Sequence, residues 1–156
     1  VISGFWEGIL QKRRFSQVKG EISGSVLDFG GNYGELGEYL KLKDYHVTNG
    51  AFSGGSFDTI VLLAVLEHLE RPVEILLLLR SCLKPKGRIV ITTPTPLIHP
   101  LLVFLSWFFL DKKNIEEHFG YYTKEGLKRI GESLGMKMRY KRFQLGLNQR
   151  VVYEFR

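Results

Sequence analysis

Val26-Leu27-Asp28-Phe29-Gly30-Gly31-Asn32-Tyr33-Gly34 decides how this chain is read. A short apolar run ends in an acid, a glycine-rich turn follows, and a helix opens at Gly34-Glu35-Leu36. Strand, bare turn and helix N-terminus together bring backbone against a nucleotide-like ligand. Glycine tolerates positive φ and close approach, and the first helical turn leaves N–H donors unpaired. Gly30, Gly31, Gly34 and Gly37 give no G-x-G-x-x-G register, because Asn32 stands where the middle glycine would be. A nicotinamide site is therefore disfavoured, while the turn stays open enough for a ligand's carboxylate-and-amine end. Asp28, at the strand's end, either holds the turn or faces a ligand ammonium. The competing reading is that these glycines serve only a tight strand–helix crossover.

Upstream, Ile2, Phe5, Trp6, Ile9 and Leu10 recur at helical spacing, with Lys12, Arg13 and Arg14 behind them. The pattern predicts an amphipathic N-terminal helix within residues 1–20. Downstream, a helix from about Gly34 to Lys43 is expected to bury Leu36, Tyr39 and Leu40, and Tyr45 to Thr48 reads as a short strand. Phe57 to Leu63 is apolar on both faces, as in a central parallel strand. A helix opens at Glu70-Arg71-Pro72 and ends near Leu83, and Arg88 to Thr93 is β-rich. Thr123 is placed to cap a helix burying Leu127, Ile130 and Leu134, stopped by Gly135. Met136 to Phe143 and Val151 to Phe155 then form two adjacent strands around the turn at Gly146. The expected fold is an α/β sheet, mostly parallel, with an antiparallel C-terminal edge pair. Ligands of such sheets sit at the carboxyl ends of the strands, which lines up the turns after Phe29, Leu63 and Thr93.

These three turns carry a resemblance. Residues 26–34 resemble the first motif of class I S-adenosylmethionine-dependent methyltransferases. Ser56-Phe57-Asp58-Thr59-Ile60-Val61 with Val65-Leu66-Glu67-His68-Leu69 resembles their fourth-strand motif, and Leu83 to Pro94 the helix-to-fifth-strand motif. His118 to Leu127 is similar to the segment opening the last helix in the small-molecule branch, of type 11/23 kind. The resemblance implies a Rossmann-like methyltransferase sheet in a single domain, 1–156, with S-adenosylmethionine as cofactor. It implies cofactor binding by Asp28, Gly30, Gly31, Asn32, Gly34, Leu63 and Ala64, and a substrate lid over 95–122. His68 and His118 are the candidate catalytic bases, needed only where the acceptor must lose a proton. The competing readings are a helix-start or packing role for Glu67-His68, no substrate contact for His118, packing for Tyr121 and Tyr122, and a solvated strand face for Lys137, Arg139 and Lys141.

One departure stands out. In the family the strand after the first helix ends in an acid that grips the cofactor's ribose, yet Tyr45-His46-Val47-Thr48-Asn49-Gly50-Ala51 carries none. Only 24 positions separate Gly34 from Asp58, too few for the family's next helix and third strand, since one βαβ unit takes roughly 30 residues. Either the sequence joins segments across a gap between Thr48 and Ser56, or this is a reduced member of the family.

Composition narrows the partners. The chain has 156 residues, is 44% hydrophobic and carries a net charge of +6, which permits anionic partners without demanding them. No interleaving of basic and aromatic residues marks a nucleic-acid surface, and none is expected as a partner. A single cysteine, Cys82, excludes a disulfide framework or a cysteine-rich metal site, no metal is expected, and a cytoplasmic setting fits. No signal peptide is evident, and the opening Val1 suggests a segment of a longer protein. Leu101 to Leu110 is too short to span a bilayer, which takes about 20 residues, and Leu77 or Leu78 should point outward from the helix over 71–83. These apolar stretches, 71–83 and 101–110, suggest a small, apolar or lipid-like acceptor, peripheral membrane contact or a homo-oligomer interface. The alternative is a non-catalytic, methyltransferase-like module that uses the same surface to bind a partner or a membrane.

Overall fold

The structure, a computed structural model, describes residues 2–31, 33–50, 54–97 and 121–155, with the side chains of 2–7 and Leu10 excepted. Its strands are β1 (Val26–Phe29), β2 (Tyr45–Thr48), β3 (Phe57–Leu63), β4 (Leu83–Pro94), β5 (Met136–Phe143) and β6 (Asn148–Phe155). They form one sheet in the order β2-β1-β3-β4-β6-β5. The described helices are α1 (Ile2–Val18), α2 (Glu35–Leu40), α3 (Pro72–Ser81) and α4 (Lys124–Ser133).

Alternation along the strands divides the core in two. Val26, Val61, Val90 and Val152 turn to one face, where Phe15 and Val18 of α1 and Leu36 of α2 cover them. Leu27, Ile60, Ile89, Ile91 and Tyr153 turn to the other, under Leu76 and Leu79 of α3 and Leu127 and Ile130 of α4. The result is helix–sheet–helix layering, with β1, β3 and β4 apolar on both faces because both are covered.

β1, β2, β3 and β4 run parallel, and β6 alone runs against its neighbours on both sides. The antiparallel C-terminal pair is present, but its reversed member is β6, seated between β4 and β5, while β5 forms the edge. The physical reason is burial: Val151, Val152 and Tyr153 of β6 are buried, as an inner strand requires, whereas β5 leaves its basic residues exposed. β6 pairs seven residues of β4, Arg88 to Pro94, and all eight of β5.

The α2 helix is shorter than its sequence pattern suggests, and Tyr39 is 43% exposed instead of buried. Tyr45 of β2 occupies the space beneath α2. A Cβ on Gly37 would stand 2.4 Å from the Tyr45 ring, so the helix docks through glycine and Leu36 while Tyr39 is displaced to the margin, against Phe15. At α4 the expected cap is present, with Thr123 Oγ1 accepting from Gly126 N at 3.1 Å, and Gly135 ends the segment at φ +63°.

Eight residues, Asn49 to Ser56, connect β2 to β3, although a parallel crossover ordinarily takes a dozen or more. β2 is accordingly the edge of the sheet, with no strand beyond it among the described residues. Residues 51–53 within that connection lie outside the described residues, as do His118 and the 101–110 segment, and with them most of 95–122.

The N-terminal ends of the strands are fastened by ions. Asp58 bonds Lys84 Nζ at 2.8 Å and Ser25 N at 2.8 Å, contacts that hold its carboxyl down to about 2. Glu21, just past α1, is gripped by Arg139 Nη2 at 2.6 Å and Arg150 Nη2 at 3.0 Å, with Arg88 at 3.6 Å. Arg139 is thus more than part of a solvated face: it ties β5 to the end of α1.

The Arg139 hydrogen bond holds the Glu21 carboxyl below its ordinary range against the opposing effect of burial. Its contribution is present above the unfolded value near 4.5 and lost as pH falls through the depressed folded value. Glu21→Ala is expected to cost about 1–3 kcal/mol at pH 7, because three arginines lose their shared acid, and much less near pH 3. Urea denaturation at the two pH values measures it.

Candidate functional site

The rim at the carboxyl ends of β1 and β3 is built around Asp28. Its residue is 2% exposed, and Tyr45 donates its hydroxyl to Oδ2, while Oδ1 is buried with no hydrogen-bond partner among the described residues. Burial outweighs the tyrosine contact and pushes the carboxyl up to about 6. The chain then wraps the acid closely. A Cβ on Gly31 would stand 2.3 Å from the Asp28 carboxyl carbon, and one on Gly30 would meet Val65 at 2.5 Å. Gly30 has φ +82° and Gly34, at the start of α2, φ +75°, conformations that cost a residue with a side chain roughly 1–2 kcal/mol. Gly30 N donates to Thr48 O at 2.7 Å, which locks the turn to the end of β2.

Directly beside this turn lies a cleft of about 220 Å³. Asp28, Gly30, Gly31, Leu63 and Ala64 line it, so five of the expected cofactor residues meet in one place. Gly34 stands behind them as the N-cap of α2, without lining the cleft. Asn32 lies outside the described residues. Ala64 holds φ +56° where β3 ends, a strained state for a residue with a Cβ, fixed by its N–H donating to Thr92 O at 2.8 Å.

The cleft has a second wall that the motifs do not announce. Gln11, Arg14 and Phe15 of α1 face the turn, and Gln11 bonds Glu35 of α2 across the mouth. The signal in the sequence is helical spacing, since Gln11, Arg14, Phe15 and Val18 share one face and the last two are buried. Burial lowers the Arg14 pKa, and the charge of Glu67 opposes that effect.

At the neighbouring rim position, the turn Leu66–His68 reverses the expected emphasis. Glu67 is 2% exposed and accepts from Thr93 Oγ1 at 2.9 Å, whereas His68 is exposed and does not line the cleft. Burial is the main cause that raises the Glu67 pKa, and burial first, with the Glu67 charge adding to it, raises those of Tyr121 and Tyr122. A buried acid touching the rim between α1 and the Tyr122 segment is the titratable group this turn positions. Tyr122 itself donates to Leu66 O at 3.3 Å, and Gln149 Nε2 to Tyr122 O at 2.7 Å, which closes the rim toward β6.

Among the described residues no group of three or more His, Cys, Asp or Glu forms a metal site, and no helix is long and apolar enough to cross a membrane. The features present suit an organic zwitterion: an unpartnered buried carboxylate oxygen as acceptor, a glycine cradle that a Cβ on Gly30 or Gly31 would fill, the Arg14 guanidinium as donor and an apolar floor.

Comparison with known proteins agrees with this geometry. A family profile described as a methyltransferase domain matches residues 10–141. Among solved structures, a SAM-dependent methyltransferase from Archaeoglobus fulgidus superposes with a TM-score of 0.68 at 18% identity, covering 93% of each chain. Magnesium protoporphyrin IX methyltransferase from Synechocystis PCC 6803, solved with bound SAH, gives 0.63 at 13% identity, over 94% of this chain and 83% of that one. A carbon methyltransferase, CurJ, gives 0.60 at 14% identity, over 83% of this chain and 48% of that one. The chain thus spans about half the length of that last neighbour and nearly all of the first. No curated protein matches the chain.

Proposed function

Because the chain belongs to the methyltransferase-domain family, whose cofactor is S-adenosylmethionine, we propose that the Asp28–Gly34 turn binds that cofactor and that the domain transfers its methyl group to a small, apolar acceptor. The observation that carries the reading is the orphaned Oδ1 of Asp28, buried beside a glycine cradle at the rim of a parallel sheet. A cofactor ammonium supplies the missing donor and the opposite charge.

S-adenosylmethionine supplies an already activated methyl group, so the protein's work is alignment and exclusion of water. Asp28 holds the amino end, Gly30 and Gly31 let backbone approach it, and Leu63 and Ala64 form the floor. Where the acceptor must lose a proton, Glu67 is the group that can hold it, since its carboxyl is buried at the rim and its pKa is raised. His118, outside the described residues, and the exposed His68 are the other candidates. An apolar or lipid-like acceptor is favoured by the composition of 95–122, whose Leu101 to Leu110 run is aromatic and aliphatic throughout except for Ser106.

Calorimetry and thermal melting test the first half. Saturation to about 100 times Kd is expected to stabilise the fold by about 2.7 kcal/mol, and the absence of a shift with either S-adenosylmethionine or its demethylated product sinks the proposal. A second reading, a non-catalytic module that docks on a partner or membrane, is favoured by one observation: Leu77 and Leu78 of α3 are 44% and 56% exposed side by side. Cofactor binding together with a monomeric protein that ignores liposomes eliminates it.

A further inference from the structure

Of the described side chains that line the cleft, Arg14 alone is cationic. It does not belong to the strand–turn–helix unit, and its position is set from outside. Phe15 beside it and Val18 one turn on are buried, and the tail of α1 is pinned through Glu21 to Arg139 and Arg150. The helix is therefore held in place, which keeps Arg14 on the wall of the cleft that Gly30 and Gly31 also line. Among the described residues no hydrogen bond satisfies it. Its charge is opposed only at a distance by Glu67, which is already bonded to Thr93. Glu35, the other acid on this wall, is engaged by Gln11 at the mouth.

A half-buried guanidinium without an acceptor is an unfavourable arrangement, and its planar fork fits a carboxylate through two parallel hydrogen bonds. The cleft thus presents two unsatisfied groups of opposite sign, the Arg14 fork and Asp28 Oδ1. An α-amino acid carries the same two charges in the opposite sense.

We propose that Arg14 is the specificity residue for the amino-acid end of the cofactor: its guanidinium receives the α-carboxylate while Asp28 receives the ammonium. The proposal rests on the S-adenosylmethionine reading and adds to it a named partner from α1. It also gives α1 a direct part in binding, so the cleft is incomplete in any fragment that begins at β1.

The test is calorimetric titration with S-adenosylmethionine and with its decarboxylated analogue, on wild type, Arg14→Gln and Arg14→Lys, each checked by thermal melting. Wild type is expected to prefer the carboxylate-bearing ligand by at least about tenfold, the worth of a charge-assisted hydrogen bond. Arg14→Gln should lose roughly 10- to 100-fold for S-adenosylmethionine and nothing for the analogue, so that the preference collapses. Arg14→Lys, which keeps the charge and loses the fork, should fall between them, and it decides the matter if the glutamine variant does not fold. Equal weakening of both ligands, or a preference unchanged in a folded variant, overturns the role of Arg14 and leaves the cofactor reading standing. Wild type that binds neither ligand overturns both.

Discussion

Asp28→Asn is expected to make the fold more stable at pH 8 and the protein a poorer binder of its cofactor. Burial raises the carboxyl from 3.8 to about 6, so the native state favours the neutral acid. The sign follows from linkage. The contribution of the neutral form is intact below pH 3.8 and is lost as pH rises through 6, which leaves an ionised, desolvated carboxylate above that value. The accumulated penalty is on the order of 3 kcal/mol, and Asn, of the same shape and uncharged, avoids it. Tyr45 keeps an acceptor, because the amide oxygen can take the place of Oδ2. The measured gain should be about 1–3 kcal/mol at pH 8, a rise of several degrees in Tm, and should vanish near pH 4. Cofactor affinity should fall at least about tenfold in the same variant, since the ammonium loses its counter-charge. Thermal melts at the two pH values and one titration settle both halves. An Asn variant that is no more stable at pH 8 than wild type contradicts the burial of an ionised acid.

Gly31→Ala should act in the opposite direction on stability and in the same direction on binding. The added Cβ falls 2.3 Å from both the carboxyl carbon and Oδ2 of Asp28. That carboxyl is not a free side-chain end that can swing aside, because Tyr45 holds it and the strand around it is buried. The turn must lift away, which costs about 1–3 kcal/mol of overpacking and moves the rim out of register with the cofactor. Loss of detectable binding with a Tm lowered by several degrees is the expected outcome. Gly135→Ala is the control. Nothing lies within 4 Å of its Cβ position, so its cost is confined to φ +63° and it should not touch binding.

The sheet was legible because its central strands are written as continuous β-branched and leucine runs, and because each rim turn carries its own punctuation. Five residues that line the cleft could be named for the same reason: the glycines and Asp28 are close in sequence, and Leu63-Ala64 ends the next rim strand. What escaped was set by tertiary contact. Arg14 reads as one of three cations at the end of an amphipathic helix, and only the seating of α1 on the sheet turns it toward the cleft. Glu67 and His68 are neighbours in the sequence, and the tight turn Leu66–His68 decides which of them is buried. Tyr39 and Tyr45 show the same limit, since two aromatics compete for one space and Gly37 gives it to the strand.

The seating of β6 between β4 and β5 has a consequence for biogenesis. β4 is complete at Pro94, with Ile89, Val90 and Ile91 at its middle, but the strand that pairs its far side begins at Asn148. During synthesis the parallel half of the sheet can form while this edge still presents unpaired backbone and a strongly apolar segment. Such an edge is a template for pairing with another nascent chain. A ribosome stalled before Asn148, or a deletion that removes β6, would leave that edge open. Yield in cells should therefore depend on prompt completion of the eight-residue strand β6.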